Sequence, residues 1–292
     1  MQRRALALAL LVGGCRFNLH AIDDVSPSVS VDLATAAAVP DLSAGIGVAD
    51  DLATAPALDL ASDPCANPPA LGGGNLAAQC VIGNPPTVDG NLADWPPLAQ
   101  WTSARRASAA LSGGSWQNDP SQDDPDCSAK FFVRWDLSYL YVAVSVTDDI
   151  RNVPNSPPGL TDNDAVELFF DGLHDRSQAY GDDDRQLVYS ADKAKMAAKD
   201  GNAASWPAGT VEKWGGTSPA WTLEAAVPWS ALGGTPATLG RVVGFDVKLD
   251  DNDGGFTRAR DLAEYYAAPS GGACSAPYCR TDAFGAVQLH GR

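Results

Sequence analysis

The sequence predicts an all-β protein, an antiparallel β-sandwich of jelly-roll type, behind a disordered N-terminal tether. Three observations carry this. From Tyr139 the residues alternate strictly, with Leu140, Val142, Val144 and Val146 on one side and Tyr141, Ala143, Ser145 and Thr147 on the other. That period of two marks a strand with one face in a core. The same grammar recurs in short runs of aromatic and β-branched residues, separated by Asp, Gly, Pro and Asn turns. Helical patterning is confined to two short stretches.

At the N-terminus, Arg3 and Arg4 precede the apolar run Ala5 to Val12, and Gly13-Gly14-Cys15 follows. A charged start, a short apolar segment and small residues predict a signal peptide over residues 1–14, too short to span a bilayer permanently. Val12-Gly13-Gly14-Cys15 resembles the lipobox of bacterial lipoproteins, which implies an acylated Cys15 as the mature N-terminus. Arg16 follows instead of the Asp that retains such proteins at the inner membrane, so the expected location is the cell envelope, anchored at the outer membrane. Residues 15–79 are rich in Ala, Asp, Pro, Val and Leu, and Asp32-Leu33-Ala34-Thr35-Ala36 recurs as Asp51-Leu52-Ala53-Thr54-Ala55. Pro40, Pro56 and Pro64 interrupt any helix, so this stretch reads as a lipidated low-complexity linker.

The folded domain is expected over residues 80–292. Pro86-Thr87-Val88-Asp89-Gly90 predicts a short edge strand and turn, with Trp95 plugging one end of the core. Residues 112–128 read as a polar loop. Phe131, Val133 and Trp135 alternate ahead of a hairpin turn at Asp136-Leu137-Ser138. Val166, Leu168 and Phe170 supply the next strand, and Gln186 to Tyr189 another. Ala191 to Ser205, rich in Ala and Lys, predicts a helical turn. Trp221, Leu223, Ala225 and Val227 alternate up to Pro228, which opens a short helix. Val243 to Leu249 and Gly285 to Leu289 complete about ten strands.

Thirty-six acidic against twenty basic residues give a net charge of −16, which repels nucleic acid. Membrane association is therefore expected through the lipid alone. With Cys15 acylated, five cysteines remain, and an exported context suits disulfides. Cys65 with Cys80 and Cys274 with Cys279 can each close locally, leaving Cys127 odd, but spacing leaves the connectivity open. His20, His174 and His290 are scattered and no spacing suits zinc.

The order of the segments resembles carbohydrate-binding module family 9, the β-sandwiches appended to bacterial xylanases. The matching residues are Thr-Val-Asp-Gly-Asn-Leu-Ala-Asp-Trp at 87–95, Trp135-Asp136 with Tyr139 to Val142, and Val146-Thr147-Asp148. They continue through Asp164-Ala165-Val166-Glu167-Leu168-Phe169-Phe170-Asp171, Leu223 to Trp229 and Val243 to Val247, covering about 205 residues from Pro86 onward. The resemblance implies a non-catalytic module that binds a polysaccharide or oligosaccharide between two tryptophans. Glu167 stands at the family's hydroxyl-binding glutamate. Thr161 stands where the first tryptophan is expected, Val188 where an arginine is, and Tyr265 or Tyr266 replaces the second tryptophan. The expected contact set is thus Glu167, Tyr265 and Tyr266, with Asp164 and Arg258 as polar neighbours. The rival reading is a structural or protein-binding envelope lipoprotein that keeps the fold without the sugar site.

Asp250-Asp251-Asn252-Asp253-Gly254 places oxygen ligands and a turn-permitting glycine at a strand end, as a hard cation needs. Structural calcium is expected there through Asp250 and Asp253, and the resemblance implies calcium as well. No organic cofactor is expected: Met196, the one internal haem-ligand candidate, lies in a polar stretch. Catalysis is not expected either, because Asp164 and Glu167 sit an odd number of residues apart and face opposite sides of one strand.

Overall fold

The computed structural model describes residues 63, 65–67, 69–72, 75–81, 83–106, 127–199, 201–254, 260–264 and 280–291. The signal peptide with Cys15, nearly all of the linker and residues 112–126 of the polar loop lie outside the described residues. The strands are β1 (Leu76–Cys80), β2 (Thr102–Arg106), β3 (Cys127–Trp135), β4 (Tyr139–Asp148), β5 (Ala165–Asp171), β6 (Asp184–Ser190), β7 (Lys195–Lys199), β8 (Asn202–Ala204), β9 (Val211–Gly215), β10 (Trp221–Pro228), β11 (Val242–Asp251), β12 (Arg260–Glu264) and β13 (Gly285–His290).

These strands form one hydrogen-bonded sheet in the order β8-β7-β6-β5-β11-β12-β2-β3-β4-β10-β9. Off that path, β13 pairs with β11 and β1, and β1 pairs with β3. Two short bridges therefore join β11 to β3: β12 with β2, and β13 with β1. The sheet curls so that the apolar rows of β5 and β11 meet those of β3, β4 and β10. Phe245 sits at the centre, with ring centroids 5.8 Å from Phe131 and 5.6 Å from Phe170. Each such buried ring contributes about 1.5–3 kcal/mol through the area it withdraws from water.

The hairpin between β3 and β4 turns where expected. Asp136 Oδ1 accepts the N–H groups of Ser138 (2.7 Å) and Tyr139 (2.8 Å), which fixes the tight reversal. The expected helical turn over 191–205 is instead β7 and β8. Ala197 and Ala198 pair with Leu187 and Gln186, and pairing with a buried strand overrides the helical propensity of alanine and lysine. Residues 86–90 carry no strand. The loop is held by Glu224, a fully buried carboxylate on β10, which accepts from Gly90 N (2.5 Å), Asp89 N (3.0 Å) and Trp95 Nε1 (2.6 Å). Gly90 is required there, because it has φ 88° and a Cβ would lie 2.5 Å from the Trp214 carbonyl oxygen. The helix expected after Pro228 is a single 3-10 turn, Trp229–Ala231.

The fold also begins earlier than expected. β1 lies partly within the stretch assigned to the linker, and Cys65, bonded to Cys80 by a disulfide, packs in the main core. Cys274, Cys279 and the side chain of Cys127 lie outside the described residues.

Candidate functional site

On β5, β6 and β11 the residues alternate between the core and the opposite face. Away from the core, β5 presents Glu167 and Phe169, β6 presents Gln186 and Val188, and β11 presents Asp246, Lys248 and Asp250. The register places Glu167 between Val188 and Lys248, and Phe169 between Gln186 and Asp246. Glu167 is 0% exposed and Lys248 2%. Lys248 Nζ donates to Glu167 Oε1 at 2.6 Å and lies 3.2 Å from Asp250 Oδ1. Gln186 Nε2 donates to Glu167 Oε2 at 2.5 Å. Burial pushes the Glu167 carboxyl up, but the Lys248 charge and hydrogen bonds with Asp250, Lys248 and Gln186 outweigh it and hold the group below its usual range. A small aromatic cluster adjoins this row, with Phe169 and Phe284 centroids 5.6 Å apart and Tyr180 6.0 Å from Phe284.

Two groups of carboxylates lie at strand ends. Asp171 closes β5, Asp184 faces it across the ladder at the start of β6, and Asp183 joins them, each offering one oxygen within 4.8 Å of the others. Asp171 accepts the N–H groups of Asp175 (3.1 Å) and Arg176 (2.9 Å), and Asp183 that of Leu173 (2.8 Å). Asp184 Oδ2 accepts the Gly181 N–H, while its buried Oδ1 has no hydrogen-bond partner. The second group is Asp148 at the end of β4 with Asp251 and Asp253 after the β11 bulge. Asp164 lies beside it, accepting the N–H groups of Asn252 (2.7 Å) and Asn152. Burial first, then neighbouring carboxylates, raises Asp148, Asp164 and Asp184 to about 7. Clustered carboxylate oxygens at strand ends, one of them the orphaned buried Asp184 Oδ1, fit a hard divalent cation such as calcium.

The structure separates residues that the sequence reading grouped. Asp253 belongs to the second carboxylate group, whereas Asp250 faces Lys248 in the Glu167 network. Asp164 stands with the carboxylates and not beside Glu167. Thr161 lies in the 3-10 turn Leu160–Asp162, and Val188 packs with Leu160 and Ala165, leaving no cation on β6 beside Glu167. The positive charge comes from β11 instead, through Lys248. Arg258, Tyr265 and Tyr266 lie outside the described residues. Sequence reasoning missed Lys248, Gln186 and the group at Asp171, Asp183 and Asp184. The period-two row Asp246, Lys248, Asp250 was the available signal for the first of these.

Residues 89–292 match the family model described as carbohydrate family 9 binding domain-like. An endo-1,4-beta-xylanase A of Thermotoga maritima is 32% identical over 128 residues, 44% of this chain and 11% of the enzyme. The exoglucanase XynX of Acetivibrio thermocellus is 27% identical over 179 residues, 60% of this chain and 14% of the enzyme. The chain thus corresponds to a small part of those relatives. A family 9 module from Caldicellulosiruptor kristjanssonii, solved with cellotriose, shares the fold with a TM-score of 0.57 at 23% identity, over 75% of this chain and 94% of that one. The same organism's module with glucose gives 0.55 at 24% identity, over 73% and 96%. With a family model matching more than half of its residues, this chain belongs to the family 9 carbohydrate-binding domains.

Proposed function

We propose that the chain is a non-catalytic sugar-binding module held at the outer membrane by a lipid on Cys15. The observation that carries the sugar reading is the buried polar row around Glu167 on the face of β5, β6 and β11, in a chain of this family. Hydrogen-bonding groups beside aromatic rings are what a pyranose needs, one to orient its hydroxyls and the other to cover its apolar faces. Glu167 has both oxygens engaged, so its role is to hold Lys248 and Gln186 in fixed positions from the strand between them. Tyr265 and Tyr266 supply the stacking rings, and Arg258 a polar neighbour. Asp164 and Glu167 serve separate networks, which is the opposite of two carboxylates facing one glycosidic bond. Calorimetric titration of the full chain with cellotriose and xylotriose tests the reading, with an expected Kd near millimolar, about −4 kcal/mol.

Calcium enters this proposal as a structural ion. Asp171, Asp183 and Asp184 would hold one, and Asp148, Asp251 and Asp253 a second. It would neutralise carboxylates that burial otherwise disfavours and tie the strand ends together.

Among the described residues no helix is long and apolar enough to cross a membrane. The anchor is assigned to Cys15 because Arg3 and Arg4, the apolar run and Val12-Gly13-Gly14-Cys15 together make a lipoprotein signal. Cys15→Ser is expected to move the protein from the membrane to the soluble fraction. A variant that stays with the membrane as the parent does would sink the anchor.

A further inference from the structure

The two bridges that join β11 to β3 leave a window between them. On one edge of β3, β2 pairs with Ala129 to Phe131 and β1 pairs with Arg134 and Trp135, so the registers skip Phe132 and Val133. A cavity of about 310 Å³ opens at this gap, lined by Phe132 and Val133 of β3, Gln79 of β1, Gln100 in the 3-10 turn before β2, Thr102 at the start of β2, and His290 of β13. None of these residues belongs to β5, β6 or β11, so the cavity is separate from the Glu167 row.

Its walls are fixed. The Cys65–Cys80 disulfide and the bond from Val81 N to the Trp135 carbonyl (2.8 Å) hold the end of β1. Trp135 Nε1 donates to the His290 carbonyl at 3.0 Å, and Trp101, just before β2, donates to the Pro96 carbonyl at 2.7 Å. Trp95 and Trp101 pack around Phe132, at centroid distances of 6.4 Å and 6.2 Å, and keep it half-buried at the cavity. A cavity with such walls spends little order on binding.

The chemistry of the lining selects the ligand class. In a chain of net charge −16, none of the described lining residues is a carboxylate, a lysine or an arginine. Phe132, on the face of β3 opposite the core-packed Val133, stands with amide, hydroxyl and imidazole residue types, which both donate and accept. That combination suits an uncharged ring with an apolar face and several hydroxyls. The volume lies at the small end for ligand pockets, so it takes one ring and not a chain. We infer that this window is a second sugar subsite, for a single neutral pyranose, on the flank of the module. The inference rests on the sugar-binding reading above, and adds to it a site that can hold a chain end or branch while the Glu167 face holds another part of the glycan.

The test is a backbone-amide NMR titration of the full chain with glucose and methyl β-glucoside to tens of millimolar, in the parent and in Gln79→Ala and Gln100→Ala variants. The expected result is two separate sets of shifted amides, one around Glu167 and one at Gln79, Gln100, Val133 and Gly291. Each variant should weaken the second set at least fivefold and leave the first unchanged. Shifts confined to β5, β6 and β11 would overturn the subsite and leave the sugar-binding reading standing. Shifts confined to the window would establish the subsite and displace the first site. A chain that shows no shifts with either sugar overturns both. The parent's own map decides the matter even if a variant misfolds.

Discussion

Lys248→Ala is expected to lower the unfolding free energy by about 3–5 kcal/mol, measured as a shift of the urea midpoint. Lys248 is 2% exposed and holds Glu167 and Asp250, which are themselves buried, so its removal leaves buried carboxylates without that cation. Most of the loss is that penalty and not the strength of the pair. The double variant Glu167→Gln with Lys248→Met should therefore lose less than Lys248→Met alone. The sign with pH follows from the Glu167 carboxyl, whose folded value lies below its usual range. Its contribution is present above the unfolded value of about 4.3 and is lost as pH falls further. A Lys248→Ala loss under about 1 kcal/mol, the scale of an exposed pair, would mean the ammonium reaches water.

Calcium is expected to raise the melting temperature strongly, and more at pH 8 than at pH 5. Asp148, Asp164 and Asp184 have folded values raised to about 7, far above the roughly 3.9 of a free aspartate. Between about pH 4 and pH 7 the folded chain binds more protons than the unfolded one, so stability without metal falls as pH rises through that window. Calcium binds the ionised carboxylates and opposes this loss. At a free concentration about a thousandfold above Kd the gain is about 4 kcal/mol, or on the order of 10 °C for a domain of this size. The check is a set of melting curves with EGTA and with calcium at both pH values. A melting temperature at pH 8 that calcium leaves unchanged would remove the metal from both carboxylate groups. Asp183→Asn should reduce the calcium response while altering the EGTA curve little.

How far the sequence could be read depended on where each element draws its stability. Strands with a period-two apolar row, such as Leu140 to Val146 and Val166 to Phe170, announce themselves because half of each strand must enter the core. Within β7 only Ala197 and Ala198 are themselves buried, and an Ala/Lys run looks helical until its pairing with β6 is known. β2, β9 and β12 are short and largely polar in sequence, so their pattern is too weak to find. Glu167 was legible as a carboxylate inside an apolar run. Its partners were not, because Lys248 and Gln186 meet it only through the registers of β11 and β6. The carboxylate groups have the same cause. Asp148 and Asp251 stand over a hundred positions apart in sequence and meet only when β4 and β11 end at the same place.

The central claim is that the Glu167 face binds neutral sugar, and titration calorimetry on parent and Glu167→Gln chains tests it most directly. Gln keeps the shape and one acceptor while removing the charge that fixes Lys248, so the fold should persist with an altered site. The expected result is a millimolar Kd for cellotriose or xylotriose in the parent, about −4 kcal/mol, weakened at least tenfold in a variant whose circular dichroism spectrum is unchanged. Equal affinity in a folded variant, or no heat from the parent with either sugar, would contradict the account.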